Sequence, residues 1–154
     1  METQADEAVK SLTKLSEINI ARMEGYGNAI SNIYKDDMKT YFVGKIKETS
    51  DLTKKLNRFI GKSNLEENEA KNENKTIQRS NFYFTMAKSS KNPRTVVLSC
   101  QLGDECAVTA YKDILKSKTV NLLPYLRDIL MKQLSNLEDC LMATHQILFD
   151  TTFA

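Results

Sequence analysis

The chain has no tryptophan, two prolines, five glycines and three cysteines in 154 residues. So little turn-forming chemistry excludes hairpin-dense all-β folds and collagen-like repeats. Three thiols (Cys100, Cys106, Cys140) cannot all pair within one chain, and the C-x5-C spacing of the first two is neither a zinc nor a redox motif. The expectation is buried, reduced thiols in a cytoplasmic protein. Long apolar runs are missing too. The richest stretch, Leu122 to Leu134, is broken by Pro124, Arg127, Asp128 and Lys132, short of the ~18 residues a membrane span needs. The opening METQADEAVK is acidic where a signal peptide is basic. Finally, 22 basic against 20 acidic residues leave a net charge of only +2, which removes the usual electrostatic case for a nucleic-acid or membrane-surface partner.

What the sequence does contain is helical periodicity and enough apolar residues, 41%, for one core, so residues 1–154 read as a single domain. A first helix runs from about Asp6 to Tyr34 with Val9, Leu12, Leu15, Met23, Tyr26, Ile30 and Ile33 on one stripe. A second opens on Asp36-Asp37, acids suited to a helix N-terminus, and closes at Gly61. Asn92-Pro93 caps a third, whose stripe includes Val96, Val97, Cys100, Ala107 and Tyr111. The fourth starts near Pro124 and carries Leu126, Ile129, Leu130, Leu134, Leu137 and Cys140. Short connections pair the first helix with the second and the third with the fourth. The crossover between these hairpins, 61–92, divides in two. Residues 63–75 are Asn-, Glu- and Lys-rich and read as a flexible linker, whereas Ile77 to Lys88 predicts a short extra helix.

Turning each residue by about 100° around its helix sorts the polar side chains by facing. Asn19, Lys45, Thr49, Asp104, Gln133 and Thr144 fall inward. Glu17, Glu24, Asp51 and Glu105 fall outward, with Glu48, Glu138 and His145 at or beyond the margin. An ionised carboxylate in an apolar core needs a partner or a metal. The expectation is a central polar layer in which Lys45 answers Asp104 while Asn19 and Gln133 complete the hydrogen bonds. Tyr26, Tyr41 and Tyr111 are expected to bury their rings and place their hydroxyls at the rim. A faint echo at an offset of 85 residues pairs Gly25-Tyr26 and Ile30 with Ala110-Tyr111 and Leu115.

Glu17-Ile18-Asn19 with Glu24-Gly25-Tyr26, and Cys100-Gln101-Leu102-Gly103-Asp104-Glu105 leading to Ala110-Tyr111, resemble a bacterial family without an assigned activity. Its members look like distant relatives of ferritin and rubrerythrin. The resemblance implies an all-α, ferritin-like four-helix bundle of two hairpins joined by a long crossover. That superfamily suggests a di-iron or di-manganese centre, which requires two inward glutamates and two Glu-x-x-His motifs. With one histidine in the chain, two such motifs are impossible, and Met142 stands three residues before His145. If a metal bound nonetheless, Asp104, Glu48, Glu24 and His145 would be the candidate ligands.

Other motifs fail on their context. Gly61-Lys62-Ser63 ends like a phosphate-binding loop, but Leu56 stands where the first glycine belongs. His145 has no nucleophile patterned beside it. Lys54, Lys55, Arg58 and Lys62 read as a solvated helix face next to Asp51. No catalytic or cofactor-binding set emerges. The expectation is a non-enzymatic bundle acting by self-association or by binding a protein partner, with Phe82 to Met86, Phe149 and Phe153 covering the core or forming a seam. The alternative is a divergent ferritin-like metal-binding protein, of the di-iron oxidase or metal-storage type, using iron or manganese.

Overall fold

A computed structural model describes residues 4–33, 35–61, 75–117 and 124–149, with side chains from Val9 onward. They form five helices: α1 (Gln4–Asn32), α2 (Asp36–Gly61), α3 (Lys75–Ser89), α4 (Pro93–Leu115) and α5 (Pro124–Phe149). No strand occurs among the described residues, so the chain is all-α at that level. The expected linker 63–75 lies outside the described residues except for Lys75, which opens α3, and Phe153 lies outside them as well.

Local chemistry sets the helix ends. The Asn92 side-chain oxygen accepts from the Thr95 N–H at 3.0 Å, and Pro93 follows at the first helical position, where its missing donor costs nothing. Asp36 and Asp37 occupy the first turn of α2, facing the positive end of the helix dipole.

Cross-helix bonds give the directions. Ser16 meets Asn57 and Arg22 meets Thr49, so α2 descends as α1 climbs. Asn19 meets Tyr111 and Tyr26 meets Asp104, so α4 descends as well. Arg94 bonds the Leu148 carbonyl and Tyr111 bonds Gln133, so α5 climbs. The order is up-down-down-up with one long connection. Among the described residues, α1 packs on α2 and α4, α5 packs on the same two, and the diagonal pairs stay apart. Leu12, Leu15 and Ile18 of α1, Phe42 and Leu56 of α2, Val97 and Cys100 of α4, and Leu130 and Leu137 of α5 are fully buried between them. Each large apolar side chain so buried contributes about 1.5–3 kcal/mol.

The extra helix is longer than expected and is packed, not loose. α3 climbs beside α1 and packs only on α1 and α4, covering their seam. Two glycines let it in: a Cβ on Gly103 would sit 2.7 Å from the Phe84 ring, and one on Gly25 would sit 3.0 Å from the Ala87 Cβ. Ser80 donates to the Gly103 carbonyl at 2.9 Å, and Asn28 of α1 donates to the carbonyls of Ala87 and Ser90 at the far end of α3. Of the four apolar side chains between Phe82 and Met86, only Phe84 enters the core, with Tyr83 half-buried. Phe82 is 62% exposed and Met86 40%, so they do not cover it. Because α3 starts at the end where α2 finishes, α3 itself carries the chain back along the bundle.

Candidate functional site, a central polar layer

The four helices of the bundle each turn polar groups into its middle. Asn19 and Arg22 (α1), Thr49 (α2), Asp104 (α4), and Gln133 and Asn136 (α5) are all 2% exposed or less. They form two networks. In the first, the Asn19 amide donates to the Leu15 carbonyl and to the Tyr111 hydroxyl, which donates in turn to Gln133 Oε1 at 2.8 Å. No member of this network is charged.

The second network is charged. Arg22 Nε donates to Asp104 Oδ1 at 2.8 Å, and the Tyr26 hydroxyl donates to Asp104 Oδ2. Arg22 Nη1 reaches across to Thr49 Oγ1 at 2.8 Å, and Thr49 lies 3.1 Å from Asn136 Oδ1. Asn136 ties down the Lys45 carbonyl at 3.1 Å. The Tyr26 ring is stacked on Phe42 at 5.4 Å and lies 6.4 Å from Phe84, so residues of α2 and α3 fix its angle.

The electrostatics follow from burial. Desolvation raises the Asp104 carboxyl above its ordinary value, while the Arg22 charge and the bonds from Tyr26 and Arg22 oppose that rise. Both oxygens accept from donors, so the carboxylate is the form this geometry serves. Burial opposes the Arg22 charge, but the charge and hydrogen bond of Asp104 together with the neighbouring Cys140 and Tyr26 outweigh it, and the guanidinium is held protonated more firmly than in water. Burial pushes the Tyr26 and Tyr111 hydroxyls well above ordinary phenol values, so both act as hydrogen-bond donors. Cys140, beside Arg22, is pushed up to about 11 by burial, and Cys100 is raised for the same reason. Both thiols stay protonated and unreactive at neutral pH. Two buried donors in the layer, Arg22 Nη2 and Gln133 Nε2, have no protein partner.

Four of the five residues expected in this layer, Asn19, Thr49, Asp104 and Gln133, come together in it. Lys45 does not. Its stem lies along the bundle, but its ammonium leaves the core to meet Asp139 at 2.9 Å, with Glu48 at 3.9 Å and the Tyr41 ring at 5.5 Å. A flexible four-carbon stem lets the charge reach water, a route the aspartate on its short stem does not have. The partner of Asp104 is instead Arg22, whose rotational phase places it on the α1 stripe between Ile18 and Tyr26. The hydroxyls of Tyr26 and Tyr111 also bond in the interior and not at the rim. Asn136, another inward residue without a periodicity flag, bridges α5 to α2.

The candidate metal ligands are scattered. Glu24 is exposed and paired with Lys88 at 2.7 Å, and Glu48 faces Lys45. His145 is exposed, packs on Phe149 at 4.7 Å and lies 3.1 Å from the Gln101 amide. Asp104 has both oxygens engaged. Among the described residues, no three His, Cys, Asp or Glu side chains converge as a metal site would require. The guanidinium beside Asp104 also repels a cation.

The echo at 85 residues acquires a structural meaning here. Asn19 and Asp104 stand at that offset, as do Tyr26 and Tyr111, and each Asx residue bonds the other helix's tyrosine. The α1–α4 seam is thus approximately self-reciprocal, neutral at one crossing and charged at the other. No described helix is long and apolar enough to cross a membrane. Compared with protein-family models, curated proteins and solved structures, the chain matches none of them.

Proposed function

We propose that the chain is a ferritin-like bundle that works through its outer faces, by self-association or by docking a protein partner, and not through chemistry at its centre. Support for the ferritin-like reading comes from the up-down-down-up order with a single long connection, the arrangement that separates such folds from simple up-and-down bundles. The observation that carries the functional reading is the engagement of Asp104. Its oxygens accept from Arg22 and Tyr26, its charge is already balanced by the Arg22 guanidinium, and among the described residues no second carboxylate, thiol or imidazole pair joins it to complete a metal shell. The polar layer stands where a di-metal centre would otherwise be. The free thiols of Cys100, Cys106 and Cys140 favour a reducing compartment such as the cytoplasm.

The outer faces carry the remaining apolar chemistry: Phe82, Tyr125, Met142 and Phe149 are each more than 60% exposed on α3 and α5. The test is a pair of titrations. Iron(II) and manganese(II) are expected to leave the melting temperature unchanged and to bind at no stoichiometric site. Two ions bound per chain, with a raised melting temperature, would overturn the reading in favour of a metalloprotein. Sedimentation across a wide concentration range then distinguishes a self-associating chain, whose mass rises with concentration, from one that stays monomeric and relies on a partner.

A further inference from the structure

The α2–α5 face holds an open groove of about 410 Å³, lined by Asp37, Met38 and Tyr41 on one side and by Asp139, Met142 and Gln146 on the other. The Asp139 carboxylate is held by Lys45. Asp37 is different: it is exposed, and among the described residues its carboxylate caps only its own helix, accepting from the Met38 N–H at 2.9 Å. The groove therefore offers an apolar floor of Tyr41 and Met142 with an available carboxylate at one end.

The α3 helix presents the complementary surface on the far side of the molecule. The side opposite its buried stripe of Ile77, Ser80, Phe84 and Ala87 carries exposed Lys75, Arg79, Phe82 and Met86. The signs are complementary: Arg79 stands one turn from the exposed Phe82 on α3, and Asp37 stands about one turn from Tyr41 on α2.

We infer that the α2–α5 groove receives the outer face of α3 from a second copy of this chain. Phe82 enters between Tyr41 and Met142, and Arg79 meets Asp37. This rests on the self-association reading above and specifies its geometry. Since α3 covers the α1–α4 seam and the groove lies between α2 and α5, the two surfaces of one chain face opposite ways. A head-to-tail contact of that kind does not close into a two-fold dimer, so assembly continues past the dimer, into a ring or an open chain. The contact is small and partly ionic, which makes it weak and sensitive to salt.

The experiment is sedimentation velocity on the full chain up to about 1 mM, the range where weak contacts populate, for the parent and two surface variants. Phe82→Glu removes the inserting ring and puts a carboxylate toward an acidic groove, while Met142→Arg puts a cation into the groove opposite Arg79. Both sites are more than 60% exposed, so circular dichroism and melting temperature should not move. The parent is expected to grow in mass without a plateau at dimer, and each variant alone to stay monomeric. An equimolar mixture of the two is expected to form a 1:1 heterodimer, because one retains the groove and the other retains the helix face. If Phe82→Glu dissociates the assembly but Met142→Arg does not, α3 pairs symmetrically with itself and the groove assignment falls while self-association stands. A parent that remains monomeric throughout sinks both.

Discussion

The two crossings of α1 and α4 are near copies in geometry and opposites in charge. At one, Asn19 meets Tyr111 and the bonds end on Gln133; at the other, Asp104 meets Tyr26 and the carboxylate requires Arg22, Thr49 and Asn136. Asn and Asp have almost the same shape. The additional recruitment at the second crossing is therefore the cost of one negative charge in a dry interior. A neutral amide is satisfied by two neighbours, whereas a carboxylate also needs a cation, and that cation needs acceptors of its own.

The largest expected effect comes from stripping the charged crossing of its cation. Arg22→Met leaves Asp104 buried and uncompensated, and chemical denaturation should show a loss of about 3–5 kcal/mol. Adding Asp104→Asn to that variant makes the second crossing resemble the first, and most of the loss should return. No recovery in the double variant would break the comparison, because it would mean that Arg22 acts through packing and not through charge.

The same pair predicts a pH signature. Burial sets the folded pKa of Asp104 above its unfolded value, so the folded chain binds that proton more tightly. The group's contribution to stability is complete below the unfolded value, about 3.9, and is lost as pH rises through the folded one. Removing Arg22 raises the folded value further. The deficit of Arg22→Met relative to the parent should therefore shrink as the pH is lowered from neutrality toward about 4. A deficit constant across that range would show that Asp104 had found another cation.

Smaller changes sharpen the contrast. Tyr26→Phe deletes a donor to a charged acceptor and is expected to cost about 1.5–3 kcal/mol; Tyr111→Phe deletes a donor between neutral groups and should cost about 1 kcal/mol. Equal losses in thermal denaturation would erase the distinction between the crossings. At the bottom of the scale, Lys45→Met keeps the packed stem but removes the half-exposed pair with Asp139 and should change stability by no more than about 0.5 kcal/mol.

Much of the architecture could be read in advance because apolar stripes, the Asn92-Pro93 cap and the acids at Asp36-Asp37 report on backbone geometry directly. The inward positions of Asn19, Thr49, Asp104 and Gln133 followed from rotation alone. Arg22 follows from the same rotation, yet an arginine is so rarely buried that its phase carries little weight against its type. Lys45 shows the reverse: its Cα lies in the stripe, and only the length of its stem decides where the charge goes. The docking of α3 depends on Gly25 and Gly103 facing Phe84 and Ala87. No periodicity expresses that match, because what matters is the absence of a side chain.

The reciprocal Asx–tyrosine pairs also determine how the hairpins can find one another. Between the two contacts α1 advances seven residues while α4 retreats seven, a near-whole number of turns on each. Sliding either helix by a single turn would break both contacts and the Arg22–Asp104 pair at once, taking both donors from the buried carboxylate. Assembly of the halves is accordingly a threshold event: misaligned collapse gains greasy contact but forfeits the Asn19–Tyr111, Arg22–Asp104 and Tyr26–Asp104 bonds together. A bundle whose stripes would tolerate several offsets is thereby confined to one.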